Sequence, residues 1–153
     1  LKPPTSAPDN IARPPRGAVL AFDFGEQRIG VAVGEIELAI PHALPVIAVP
    51  DNERRFAAAA ALIAEWKPVR LVVGIASHAD GAPHETGRLA RRFGQRLHGR
   101  FGLPVDYVDE RLTSREAEAA LREAGVDRSR REAMLDSAAA AEILRTWFDA
   151  TPS

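Results

Sequence analysis

Apolar positions along the chain switch between a period of two and a period near four, and that alternation predicts an α/β domain. The stretch Gly17-Ala-Val-Leu-Ala-Phe-Asp23-Phe-Gly25-Glu-Gln-Arg28-Ile-Gly30-Val-Ala-Val-Gly34 holds two short apolar runs around a polar step at Gly25. It reads as a strand, a tight turn and a second, antiparallel strand. Leu38 to Val49, broken by Pro41 and Pro45, predicts a short strand at a sheet edge. Asp51 is placed to N-cap a helix running to about Trp66, with Phe56, Ala59, Leu62, Ile63 and Trp66 on one face and Pro68 ending it. Val69 to Ile75 reads as a buried strand, and a strand following a helix in this way argues for parallel pairing with the first. Leu89, Phe93, Leu97 and Phe101 make the core stripe of a helix from about His84 to Phe101, and Val105 to Glu110 reads as a fifth strand. Thr113-Ser-Arg-Glu116 is a capping box opening a helix that closes at Gly125, and Ser129-Arg-Arg-Glu132 opens a last helix to about Phe148.

Composition sets the frame for these elements. Pro3, Pro4, Pro8, Pro14 and Pro15 mark residues 1–16 as a flexible tail, leaving a folded domain over 17–149 and a short tail at 150–153. A total of 153 residues is long enough for a substantial core and short for two lobes. The absence of cysteine excludes disulfides and thiolate metal sites, and permits a reducing compartment. No apolar run approaches membrane-spanning length and no signal-peptide pattern appears, so the expectation is a cytoplasmic protein with no membrane partner. The first residue is Leu, which points to a start that is incomplete or processed.

The net charge of −1 gives no general attraction to nucleic acid, but the charge is unevenly placed. Arginines 88, 91, 92, 96 and 100 follow one another with no acid between them, and Arg128, Arg130 and Arg131 form a second cluster. A planar guanidinium fork matches phosphate oxygens, although a general preference for Arg and Ala along the chain accounts for arginine choice equally well. Arg88, Arg92 and Arg96 lie one turn apart and would make a ladder along the exposed flank of their helix.

Three places carry candidate chemistry. Asp23 stands where the first strand gives out, on rigid backbone close to solvent, with Gly25 and Gly30 letting a phosphate or metal approach the main chain; an Asp that merely starts the turn is the alternative. Asp136 shares a helix face with Ala139, Ala140, Ile143 and Trp147. A carboxylate on such a face is costly unless paired, for example with Arg28 or Arg111, or bound to a metal. Asp109 and Glu110 end the fifth strand on opposite faces, so only one of them can look toward Asp23.

Taken together, Asp23-Phe-Gly-Glu-Gln-Arg28-Ile-Gly-Val-Ala-Val, Val72-Val-Gly-Ile75 with Asp80-Gly81, Asp109-Glu-Arg-Leu-Thr-Ser114 and Leu135-Asp-Ser-Ala-Ala-Ala-Ala-Glu-Ile-Leu144 resemble the successive motifs of the YqgF (RuvX) family. These are bacterial RNase H-like proteins described as Holliday junction resolvases or as pre-16S rRNA processing nucleases. The resemblance implies an RNase H-like fold: a mixed five-stranded sheet, its first three strands antiparallel, flanked by helices. It also implies a catalytic and metal-binding set of Asp23, Glu110 and Asp136. Ala76 departs from the family's usual Pro after the central strand, which leaves the course of residues 76–83 open.

Three converging carboxylates repel one another unless a hard divalent cation neutralises them, and oxygen ligands suit Mg²⁺ or Mn²⁺. The expected activity is metal-dependent phosphodiester hydrolysis, with precursor rRNA ahead of branched DNA as substrate. Arg28, Arg111, Arg88, Arg92 and Arg96 are the candidate nucleic-acid contacts, and Arg28 and Arg111 could instead balance the acids. A non-catalytic RNA-binding assembly factor is the alternative within the same fold. Actin-like and sugar-kinase ATPases open with a similar hairpin but need a second lobe that this length does not hold. Monomer and homodimer are both open.

Overall fold

A computed structural model gives the structure of the chain at residues 16–76, 85–110, 125 and 128–150, with side chains described except at 76, 85–86, 110 and 128–137. β1 (Ala18–Asp23) and β2 (Ile29–Glu35) form the expected antiparallel hairpin, Ala18 facing Glu35 and Asp23 facing Gly30. Gly25 is required at its turn, because a Cβ there would stand 2.5 Å from the carbonyl oxygen of Arg28. β3 (His42–Ile47) pairs antiparallel with β2 and is an edge strand, where Pro45 is tolerated.

α1 (Asn52–Trp66) follows Asp51, which occupies the N-cap position without donating or accepting a side-chain cap bond. Phe56 and Ala59 are buried as the periodicity requires, Leu62 and Ile63 are half-buried, and Trp66 stays 37% exposed. Lys67 closes the helix at φ 47°, its N–H donating to the carbonyl of Ile63, and Pro68 prevents continuation. β4 (Arg70–Ala76) then returns parallel to β1, and β5 (Val105–Glu110) adds parallel to β4. The sheet order is β3-β2-β1-β4-β5, the mixed sheet expected of an RNase H-like domain.

Among the described residues the sheet is covered by three helices. α1 and α2 (Glu85–Phe101) pack on one face against Leu20, Phe22, Val31, Leu71 and Val73. α3 (Arg128–Ala150) packs on the other against Val19, Ala21, Ala32 and Val72 through Ala140, Ile143, Leu144, Trp147 and Phe148. α3 begins at Arg128, so Ser129 lies inside the helix and not at its cap, two residues from where the capping box put the boundary. The helix expected over 113–125, apart from Gly125, and the loop of Asp80 and Gly81 lie outside the described residues, as do 1–15 and 151–153; Ala150, expected to open the C-terminal tail, is the last residue of α3.

Candidate active site

The strand register arranges the α3 face of the sheet in rows. Asp106 of β5, Val72 of β4, Ala21 of β1 and Ala32 of β2 form one row. Two residues further along the parallel strands comes the row Val108, Gly74, Asp23, Gly30. Asp23 is therefore flanked on both neighbouring strands by glycine, which leaves the sheet around its carboxylate without side-chain walls. Glu110 pairs with Ala76 one pleat further on, at a position of the same parity as Asp106 and Val108. Both acids thus stand at the carboxyl ends of parallel strands, separated by β4, where open α/β sheets place their ligands. From strand spacing and rise, their Cα atoms are about 12 Å apart.

α3 is anchored to the sheet near its C-terminal end. Trp147 donates its indole N–H to Oδ2 of Asp106 at 2.8 Å, and the Phe148 ring lies against Gly34, at the opposite end of the sheet from the Asp23 row. Asp136 lies on the helical face of Ala140, Ile143 and Trp147, about 16 Å back from Trp147 along the axis. The rise of β5 from Asp106 to Glu110 is about 13 Å. Asp136 stands in the N-terminal half of α3. Asp109, by contrast, is exposed and has the parity of Val105 and Tyr107, on the α1–α2 face.

Arg28 is half-buried immediately before β2, close to the Asp23 hairpin; Arg111 lies outside the described residues. On α2, Arg88 and Arg92 are exposed and Arg96 is half-buried. Arg91 and Arg100 are engaged with rings, the first 5.1 Å over Tyr107 and the second 4.3 Å over Phe56. Arg91 and Arg100 are nonetheless exposed, so all five arginines of α2 border solvent, Arg96 only in part.

Two charged residues of the fold went unnoticed in the sequence. Arg55 is buried in α1; its Nε–H donates to the carbonyl of Val49 at 3.0 Å and its terminal NH₂ to the carbonyl of Glu26, and its guanidinium lies 5.6 Å from the Phe24 ring. It ties α1 to the turn after Asp23, and burial lowers its pKa while Glu26 opposes the shift. Arg70 is likewise buried and donates to both oxygens of Asp106 at 3.0 Å, so Asp106 holds β4 and α3 together. A charged residue at a core-spaced helical position, as Arg55 is beside Phe56, was the signal available.

With this geometry in place, the comparisons with known proteins are informative. The sequence profile of the family described as RuvX, Holliday junction resolvase, matches residues 17–150. The chain belongs to the RuvX family. A RuvX relative from Dechloromonas aromatica is 57% identical over 133 residues, covering 87% of this chain and 91% of its own. Relatives from Methylobacillus flagellatus, 50% identical over 90% of this chain and 94% of its own, and Chromobacterium violaceum, 56% over 85% and 96%, match as well. All three are named, provisionally, pre-16S rRNA nuclease. Among solved structures, Thermus thermophilus RuvC matches with a TM-score of 0.53 at 15% identity, covering 87% of this chain and 95% of RuvC. The same protein in complex with a Holliday junction substrate matches at 0.52 and 19% identity, over 87% and 94%. At these identities the likeness concerns the fold, which it shares.

Proposed function

We propose that this chain is a metal-dependent endonuclease whose substrate is precursor 16S rRNA, cut through Asp23, Glu110 and Asp136. Its class, hydrolysis of phosphodiester bonds, is that of its family and named relatives. The observation that supports the site is the position of Asp23 and Glu110 at the carboxyl ends of β1 and β5 on one face of the sheet, with glycines on both sides of Asp23; Asp136 would join them from the N-terminal half of α3. Oxygen donors on a glycine-lined floor fit a hard cation such as Mg²⁺ or Mn²⁺. Such an ion, when bound, lowers the pKa of an attacking water and offsets charge on the leaving oxygen. Asp23 would hold the ion from a rigid strand end, while Glu110 and Asp136 would complete the oxygen set and orient the water. Arg28, in the turn before β2, would meet the scissile phosphate together with Arg111, and Arg88, Arg92 and Arg96 would hold the polyanion.

Absence of any membrane-length apolar helix among the described residues agrees with a cytoplasmic nuclease, the compartment of precursor rRNA. The RNA substrate rests on the names of the relatives, since RNA and DNA present the same phosphate to the acids. Side-by-side cleavage of precursor 16S rRNA and a four-way DNA junction, in the same salt with Mg²⁺, Mn²⁺ or chelator, tests it. Faster cutting of the rRNA, abolished by chelator, is expected. A clear preference for the junction would reassign the substrate to branched DNA, and binding without cutting of either would make the chain an assembly factor.

A further inference from the structure

On the sheet face opposite Asp23, a cavity of about 200 Å³ opens between the start of α1 and α2. Phe24, Phe56 and Phe93 form its apolar side, and Asn52, Arg92 and Arg96 its polar side. The three rings are packed together, Phe24 to Phe93 at 5.3 Å and Phe56 to Phe93 at 5.5 Å, with Phe56 and Phe93 buried and Phe24 half-buried at the mouth. Among the described residues no acid lines the cavity, and two further guanidiniums, Arg55 and Arg100, stand over Phe24 and Phe56. Arg92 and Arg96 are one helical turn apart, an arrangement of like charges that destabilises a helix by itself. An anion seated between them would relieve that repulsion, and the two forks suit phosphate oxygens.

We infer that this cavity seats one nucleotide of a single-stranded segment of the nucleic-acid substrate. The phosphate lies between Arg92 and Arg96, the base meets Phe24, and the Asn52 amide offers one donor and one acceptor to its edge. The inference rests on the nuclease reading given above. Phe24 directly follows Asp23 at the end of β1, so a strand held in the cavity passes round the sheet edge onto the acid-bearing face. The volume admits a single base or phosphate and excludes paired bases, which makes the cavity a reader of unpaired strand beside the cleavage site.

The test uses the full chain carrying Asp23→Asn, so that bound RNA stays intact. A short single-stranded oligoribonucleotide is titrated in, followed by amide NMR and by fluorescence anisotropy, with a blunt RNA duplex of equal length in parallel. Shifts at Asn52, Leu89, Arg92, Phe93 and Arg96 are expected. Adding R92Q and R96Q should lower single-strand affinity about tenfold and flatten the salt dependence by about one unit per lost contact. Phe24→Leu should weaken the single strand and leave the duplex unchanged. Arg91→Gln, whose guanidinium covers Tyr107 outside the cavity, should bind as the parent does. Unaltered affinity in the R92Q/R96Q chain, or shifts confined to the Asp23 face, overturns the inference. Cleavage by the otherwise unmodified Arg92→Gln, Arg96→Gln chain separates the two readings: if it cuts and binds as the parent does, the cavity assignment alone is removed. If the Asp23→Asn chain itself cuts, the nuclease site is misassigned.

Discussion

Tyr107 is the chain's single tyrosine, so a spectrophotometric tyrosinate titration reports on it alone. Its hydroxyl donates to the carbonyl of Arg91 at 3.3 Å, and burial raises its pKa while the Arg91 charge opposes the rise. A folded pKa above the unfolded one means that the folded state holds its proton longer, so stability falls as pH rises from about 10 through the folded value. Tyr107→Phe should remove that part of the alkaline decline, read as urea midpoints across the alkaline range; an unchanged decline would contradict it. Gly25 is a second residue-scale case. Its would-be Cβ meets a main-chain oxygen, which has no flexible end to move aside, so Gly25→Ala should cost about 1–3 kcal/mol and shift the Asp23 turn. The glycine was legible as a turn residue in the sequence. The identity of the oxygen it avoids was not, because that depends on how the hairpin closes.

Elements are held in place here by a few buried charges. Removing one partner of a buried pair leaves the other desolvated, at a cost of about 3–5 kcal/mol. Asp106 stays about a quarter exposed at its side chain, which favours the low end of that range for Asp106→Ala. Because Asp106 also accepts from Trp147, the same variant should loosen α3 and reduce cleavage beyond what the stability loss explains. Unfolding by urea, with activity measured well below the midpoint, checks both. At the end of α1, Lys67 holds a left-handed conformation that suits glycine. Lys67→Gly should stabilise the chain by up to about 1 kcal/mol, and a loss of stability would show that its stem packs usefully on Trp66 or Pro68. The elements themselves were readable: α1, α2, β1, β2, β4 and β5 fall within a residue or two of their periodic patterns, while β3 begins four residues after the expected Leu38. How α3 docks was not, since it turns on Asp106, an acid that looks like the polar face of an alternating strand until Arg70 and Trp147 surround it.

For the whole molecule, one topological step decided most of the outcome. Parallel return of β4 beside β1 puts the ends of β1, β4 and β5 along one edge, and the antiparallel hairpin supplies Gly30 on the other side of Asp23. The candidate acids at strand ends were legible for this reason, whereas the two-faced character of that edge was not. Asp23 and its glycine floor lie on the α3 side, and the arginine-lined cavity lies on the α1–α2 side. The phosphate ladder expected of α2, Arg88, Arg92 and Arg96, is bordered by Arg91 and Arg100, which cover Tyr107 and Phe56. A site whose acids act as one unit fails as one unit, so single removals are grossly non-additive. The most direct measurement is therefore the Mg²⁺-dependent cleavage rate of precursor 16S rRNA by Asp23→Asn, Glu110→Gln and Asp136→Asn separately, each shown to fold by urea unfolding. The account predicts that each loses activity by at least about a hundredfold while keeping nearly full stability. Wild-type cleavage by any one of the three would contradict a shared three-acid site.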